Sequence, residues 1–271
     1  MTHSGDVSSV ETGVASGATS PVVESLVLFY IVAIVGAEVV AVRVGIVPAT
    51  LCHAIIVFLL MLHYTRLEGI PHREALPVLA LAPLLRILSV TMPLGQVPQI
   101  YWYALIGLPL LISTALTVRL LRVTWTCVGL GRSRWDVQAL IALGGLPLSV
   151  IAYLILRPRP VIAAFTWGNL ASGSLILIVF VGFAEELVFR GVLQRAILGI
   201  FGTSGILLSA IIFAAMYTGA SSPAYTLFMS GVGLYFGWCV YRTGSLWGVV
   251  MAHSILVIGL ACIWPFVWLP R

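Results

Sequence analysis

Residues 174–201 read SLILIVFVGFAEELVFRGVLQRAILGIF. The run is apolar enough for a bilayer interior, yet it carries Glu185, Glu186 and Arg190 at its centre. Ionisable groups inside a spanning segment are costly and mark a functional site by default. On a helix, Glu186 and Arg190 stand at i,i+4 and pair with each other. Glu185 points about 100° away and is left free to act on something else. One paired and one free carboxylate set the class of the fold and the place to look for chemistry.

Working outward, the whole chain is 61% apolar and 8% charged, with a mean hydropathy of +1.11. That composition excludes a soluble domain and indicates an all-α, polytopic transmembrane helical bundle. The 271 residues allow eight or nine spans, each needing about 20 residues. All fourteen basic residues are Arg. They are scattered rather than arranged as a stripe, so we expect no nucleic-acid partner; an Arg-only composition fits a G+C-rich bacterial genome. Cys52, Cys127, Cys239 and Cys262 lack metal-ligand spacing and read as small hydrophobes. Residues 1–22 are polar, lack a basic n-region and read as a disordered tail rather than a signal peptide.

Spans are expected near residues 23–42, 46–64, 76–93, 99–120, 137–156, 173–194, 204–218, 223–241 and 246–268. Residues 23–134 form a front set of helices and residues 135–271 a site-bearing core. With the N-terminus in the cytoplasm, Arg66, Arg73, Arg119, Arg122, Arg132, Arg134, Arg195 and Arg242 fall on the cytoplasmic side, against Arg43, Arg157, Arg159 and Arg271 outside. The positive-inside rule favours that orientation, in a bacterial plasma membrane. It predicts the glutamates near the cytoplasmic end of their span and a cavity open to that side. Two further intramembrane charges, Glu38 and Arg86, form an interhelical pair, snorkel, or line a path to the site.

Three polar positions must converge for a buried site: the Glu185-Glu186-x-x-x-Arg190 motif, Tyr217 at the end of the helix through Phe213, and His253 within an apolar span. These residue types support water activation. A carboxylate in low dielectric can act as a general base near neutral pH, and Glu185 is the candidate. Glu186 with Arg190 is the orienting pair, His253 a hydrogen-bond donor to a developing oxyanion, and Tyr217 an accessory hydroxyl. No metal or other cofactor is expected, since no His-Glu-x-x-His occurs and His53 and His63 read as buried polar residues.

The order Glu185-Glu186-x-x-x-Arg190-Gly191, Phe213-x-x-x-Tyr217, Arg242 to Ser245, then His253 resembles the CAAX-protease and bacteriocin-processing family of glutamic intramembrane endopeptidases, over roughly residues 135–268. The resemblance implies hydrolysis of peptide bonds in membrane-associated peptides or protein termini. In that family the second motif is Phe-x-x-x-His, its His sharing water activation with the first Glu. The third is His-x-x-x-Asn, forming an oxyanion site. This chain has Tyr217 and Val257 at the His and Asn positions. Prenylated CAAX substrates are implied by the resemblance alone.

Other readings stand beside this one. A relative impaired by these two substitutions would be a binding, scaffold or immunity protein. Gly202-Thr203-Ser204-Gly205 offers a rhomboid-like serine nucleophile with His253 as base, although Ser204 is also a natural helix cap. Gly233-x-x-x-Gly237 serves close packing within the bundle or dimerisation. The expected partners are the lipid bilayer and a peptide or protein substrate.

Overall fold

The computed structural model describes residues 20–92, 95–219 and 222–268. Residues 1–19 of the expected tail lie outside the described residues, and helix starts at Pro21. The described residues form nine helical segments and no strand. They are α1 (Pro21–Arg43), α2 (Ile46–Arg66), α3 (Ala75–Thr91), α4 (Gln99–Leu120), α5 (Trp135–Leu156), α6 (167–201), α7 (Ser204–Ala215), α8 (Pro223–Thr243) and α9 (Trp247–Trp268). A short helical turn, Thr126–Leu130, precedes α5.

The protein is an all-α polytopic bundle. Helices α1, α2, α4, α5 and α9 are long and apolar enough to cross a membrane, and α3 and α7 are shorter apolar helices. The expected eight or nine spans thus correspond to nine helical segments rather than to nine full-length hydrophobic helices. The polarity is inverted relative to a soluble protein: Val32, Phe58, Leu140, Leu175 and Leu227 face outward, while Glu38, His53, Glu186, Arg190 and His253 are buried. Lipid rewards that arrangement, because only the interior can satisfy polar groups.

Local chemistry sets the element ends. Pro21 and Pro223 occupy the first helical turns of α1 and α8, where the missing N–H costs nothing. Thr166 caps α6 by accepting from Asn169 N, and Ser222 caps α8 by accepting from Tyr225 N. Gly244, at φ 66°, ends α8 in the left-handed conformation that suits glycine.

Helix α6 is longer than the expected 173–194 and runs without a break through the site. It alternates α-turns with two wider π stretches, Ile178–Phe183 and Leu187–Leu193. Between them, Ala184–Glu186 keeps ordinary α geometry. Such wide turns recur at functional sites. In the other direction, α7 ends at Ala215, so Tyr217 lies in the turn that follows rather than within the expected span 204–218.

Helix α6 is central, packing against α3, α4, α7, α8 and α9. Two glycines let its neighbours in. A Cβ on Gly107 of α4 would lie 2.8 Å from Phe180 O. A Cβ on Gly182 of α6 would strike Ser254 Oγ and lie 3.1 Å from Val250 O on α9. Close approach of α6 to α9 brings Glu186, one turn beyond Gly182, beside His253. Gly233 and Gly237 of α8 likewise face Ala210 and Gln194, so this motif serves packing within the bundle.

Gly182→Ala should lower the melting temperature in detergent, because overpacking costs about 1–3 kcal/mol. Gly36→Ala, at an exposed helix position with nothing within 4 Å, should hold or raise it, since Ala is the better helix former. Equal responses would show that Gly182 does not set the α6–α9 approach.

Candidate active site

Two carboxylates adjacent in sequence have separate environments. Glu186 is fully buried and its Oε1 accepts from Arg190 Nη1 at 2.9 Å. The same oxygen lies 2.8 Å from His253 Nδ1. Arg190 lays its guanidinium over the Phe213 ring, 3.9 Å from the centroid, with Phe236 at 5.7 Å. Its Nη2 reaches Gly233 O at 3.5 Å. A planar, weakly hydrated guanidinium suits such a stacked, apolar berth better than an ammonium would.

An acceptor-only carboxylate oxygen makes His253 Nδ1 the donor, which assigns the tautomer. A neutral ring then presents a lone pair at Nε2 and has no second N–H for an oxyanion. His253 is fully buried, and its Nε2 has no hydrogen-bond partner. Glu186 Oε2 is unpartnered as well.

Glu185 leaves this knot and turns to a cavity of about 440 Å³. Its Oε2 accepts from Tyr217 Oη at 2.7 Å, and both residues line the cavity. Tyr217 stacks edge-on against Phe213 and Tyr225, with centroids at 5.2 and 5.9 Å. Tyr103 and Tyr225 add two more phenols to the wall, and Val257 adds methyl groups.

Helices from the front of the chain complete the wall. Arg86 forms a two-pronged bond to Glu38, Nε–Oε1 and Nη2–Oε2 both at 2.7 Å. Its Nη2 also donates to Met216 O at 2.5 Å, next to Tyr217. His53 Nε2 lies 3.2 Å from Glu38 Oε1 without the alignment of a hydrogen bond. The alternatives for Arg86 therefore combine: it forms an interhelical pair and lines the cavity. Through Met216 it anchors the turn that carries Tyr217.

The structure brings Glu185 together with Tyr217, and Glu186 together with Arg190 and His253. It does not bring Ser204 to His253: Ser204 is exposed at the start of α7, while His253 is buried against Glu186. The rhomboid-like pairing is thereby overturned. No group of three metal-ligating side chains occurs among the described residues. Tyr103 and Tyr225 escaped the sequence reading, because tyrosines near span ends read as interfacial anchors.

The sequence predicts the glutamates near the arginine-rich end of their span, with the cavity open at that end; the structure places the cavity at the other end. The cavity is lined by Ser89 near the end of α3, Gln99 at the start of α4, Leu156 to Arg159 after α5, and Tyr225 at the start of α8. Those ends lie opposite the arginine-rich ones. Sequence reasoning went astray because α6 is long, which places Glu185 nearer its middle than its end.

Residues 167–258 match the family model described as Type II CAAX prenyl endopeptidase Rce1-like. The matched stretch starts with α6 and includes the Glu185–Arg190 motif, Tyr217, His253 and Val257. No curated protein and no solved structure matches the chain. The resemblance seen in the motifs is thus found over that stretch, and it supports an intramembrane protease fold in an integral membrane protein.

Arg190→Met should destabilise the protein by about 3–5 kcal/mol, since removing one partner strands a buried charge. Adding Glu186→Gln should recover most of that loss. Arg134→Ala, which breaks the exposed Arg134–Asp136 pair, should leave the melting temperature unchanged. Thermal unfolding in detergent measures all three.

Proposed function

We propose that the protein is an intramembrane endopeptidase in which Glu185 activates water. The observation that carries this reading is a carboxylate on the wall of a bundle cavity, fixed through Oε2 by Tyr217, with its neighbour Glu186 already committed to Arg190 and His253. Holding Oε2 leaves Oε1 to receive a water proton.

The water oxygen bonds to the scissile carbonyl carbon while one proton passes to Glu185. The developing oxyanion meets the phenolic O–H of Tyr225 rather than the His and Asn of the family motif, because Tyr217 gives its single hydroxyl hydrogen to Glu185. Collapse breaks the C–N bond, and Glu185 returns its proton to the leaving nitrogen, so no covalent intermediate forms. Glu186 and Arg190 fix the face of α6 that presents Glu185. His253 acts as a positioning residue on Glu186 and donates to an oxyanion only as the imidazolium. Substrates are membrane-associated peptides or protein termini.

A second reading rests on Val257. It lines the cavity where the family motif has Asn and has no hydrogen bond to give. Losing one oxyanion donor costs about 10²–10³ in rate, so a chain without a substitute donor would bind peptides without cutting them.

The purified protein should cleave members of a proteome-derived peptide library. Glu185→Gln should abolish that activity, consistent with the roughly 10²–10⁴-fold worth of a general base. Tyr217→Phe should retain part of it. If the folded wild type cleaves nothing and Tyr217→His with Val257→Asn gains cleavage, the non-catalytic reading stands. Cleavage that survives Glu185→Gln would sink the glutamate mechanism.

A further inference from the structure

The bundle has two dissimilar ends. At one, the turn Thr126–Leu130 meets the start of α9 and the last turns of α6: Leu246 N donates to Gly129 O at 2.9 Å, and Arg195 Nη1 to Cys127 O at 2.7 Å. This end gathers Arg119, Arg122, Arg132, Arg134, Arg195 and Arg242. Two hollows there combine arginine with indole. One holds Arg119, Arg122 and Trp125; the other holds Arg132, Arg134, Trp238 and Arg242. Arg242 sits over the Trp238 ring at 5.7 Å.

The other end is the mouth of the Glu185 cavity. Its rim carries exposed Gln99 and Arg159, and among its described residues only Arg43, Arg157 and Arg159 add charge of that sign. Arginine near helix ends concentrates on the cytoplasmic side. Arginine beside indole suits the anionic headgroups of the cytoplasmic leaflet.

We propose that the Glu185 cavity opens on the extracytoplasmic face, so that its substrates are polypeptide segments already exported across the membrane. The proposal rests on the reading of that cavity as the peptidase site, and it makes exported chains, rather than cytoplasmic protein termini, the substrate class. It also accounts for the polar rim: a peptide arriving from water meets Gln99 and Arg159 before the phenols and Glu185.

Sidedness can be tested without any activity. Cys127 is exposed on the arginine end, whereas Cys239 and Cys262 are buried. Ala163, exposed in the loop after α5, lies on the cavity end. In bacterial spheroplasts, a membrane-impermeant maleimide should leave Cys127 of the native chain unlabelled until permeabilisation, with that signal lost in Cys127→Ser. Ala163→Cys in the Cys127→Ser background should be labelled in intact spheroplasts. Labelling of Cys127 in intact spheroplasts with Ala163→Cys reached only after permeabilisation, or equal labelling of both before it, overturns the proposal. Because the readout is chemical accessibility, a protein that cleaves nothing still reports its orientation, and a failed orientation leaves the Glu185→Gln comparison intact.

Discussion

The contact on which the site depends is the buried carboxylate of Glu186, shared between Arg190 and His253. A charge in a bilayer interior is tolerated only with a partner and hydrogen bonds. Here the guanidinium supplies the counter-charge, and the Phe213 and Phe236 rings supply its bed. That one knot ties α6 to α7, α8 and α9. It also uses up the charge of Arg190, so the second carboxylate must find its own environment. Glu185 finds it in a phenol and a cavity.

The exchange of a histidine for Tyr217 changes what the second motif can do. A histidine can take a proton from water, whereas the Tyr217 hydroxyl gives its proton to Glu185. A phenol positions and donates; it does not share the work of a base near neutral pH. Val257 removes the other polar group of the family pattern from the wall, and Tyr103 and Tyr225 put phenols there instead. The proposed water activation therefore rests on one carboxylate, and the proposed charge stabilisation on a tyrosine.

The front helices belong to the site. Arg86 joins Glu38 on α1 to the carbonyl of Met216, immediately before Tyr217. The turn after α7 has left the helix, and its backbone carbonyls need donors that α7 can no longer supply. A guanidinium with five N–H groups can bond a carboxylate and a carbonyl together. The position of Tyr217, and through it Glu185, thus depends on residues more than a hundred positions earlier in the chain.

The sequence by itself determined the class of the fold, the helical segments to within a few residues at most ends, and the pairing of Glu186 with Arg190. These follow from apolar runs, turn residues and i,i+4 spacing, which are local. The length of α6 was less legible, because its wide turns and the Thr166 cap extend a helix whose apolar stretch suggested a shorter one. Which partner His253 takes, that Arg86 reaches both Glu38 and Met216, that Tyr103 and Tyr225 face Glu185, and which end of the bundle holds the cavity were decided only by tertiary structure. Each is a meeting of side chains from helices distant in sequence, set by how closely glycines such as Gly182 let those helices approach, and no local pattern encodes that distance.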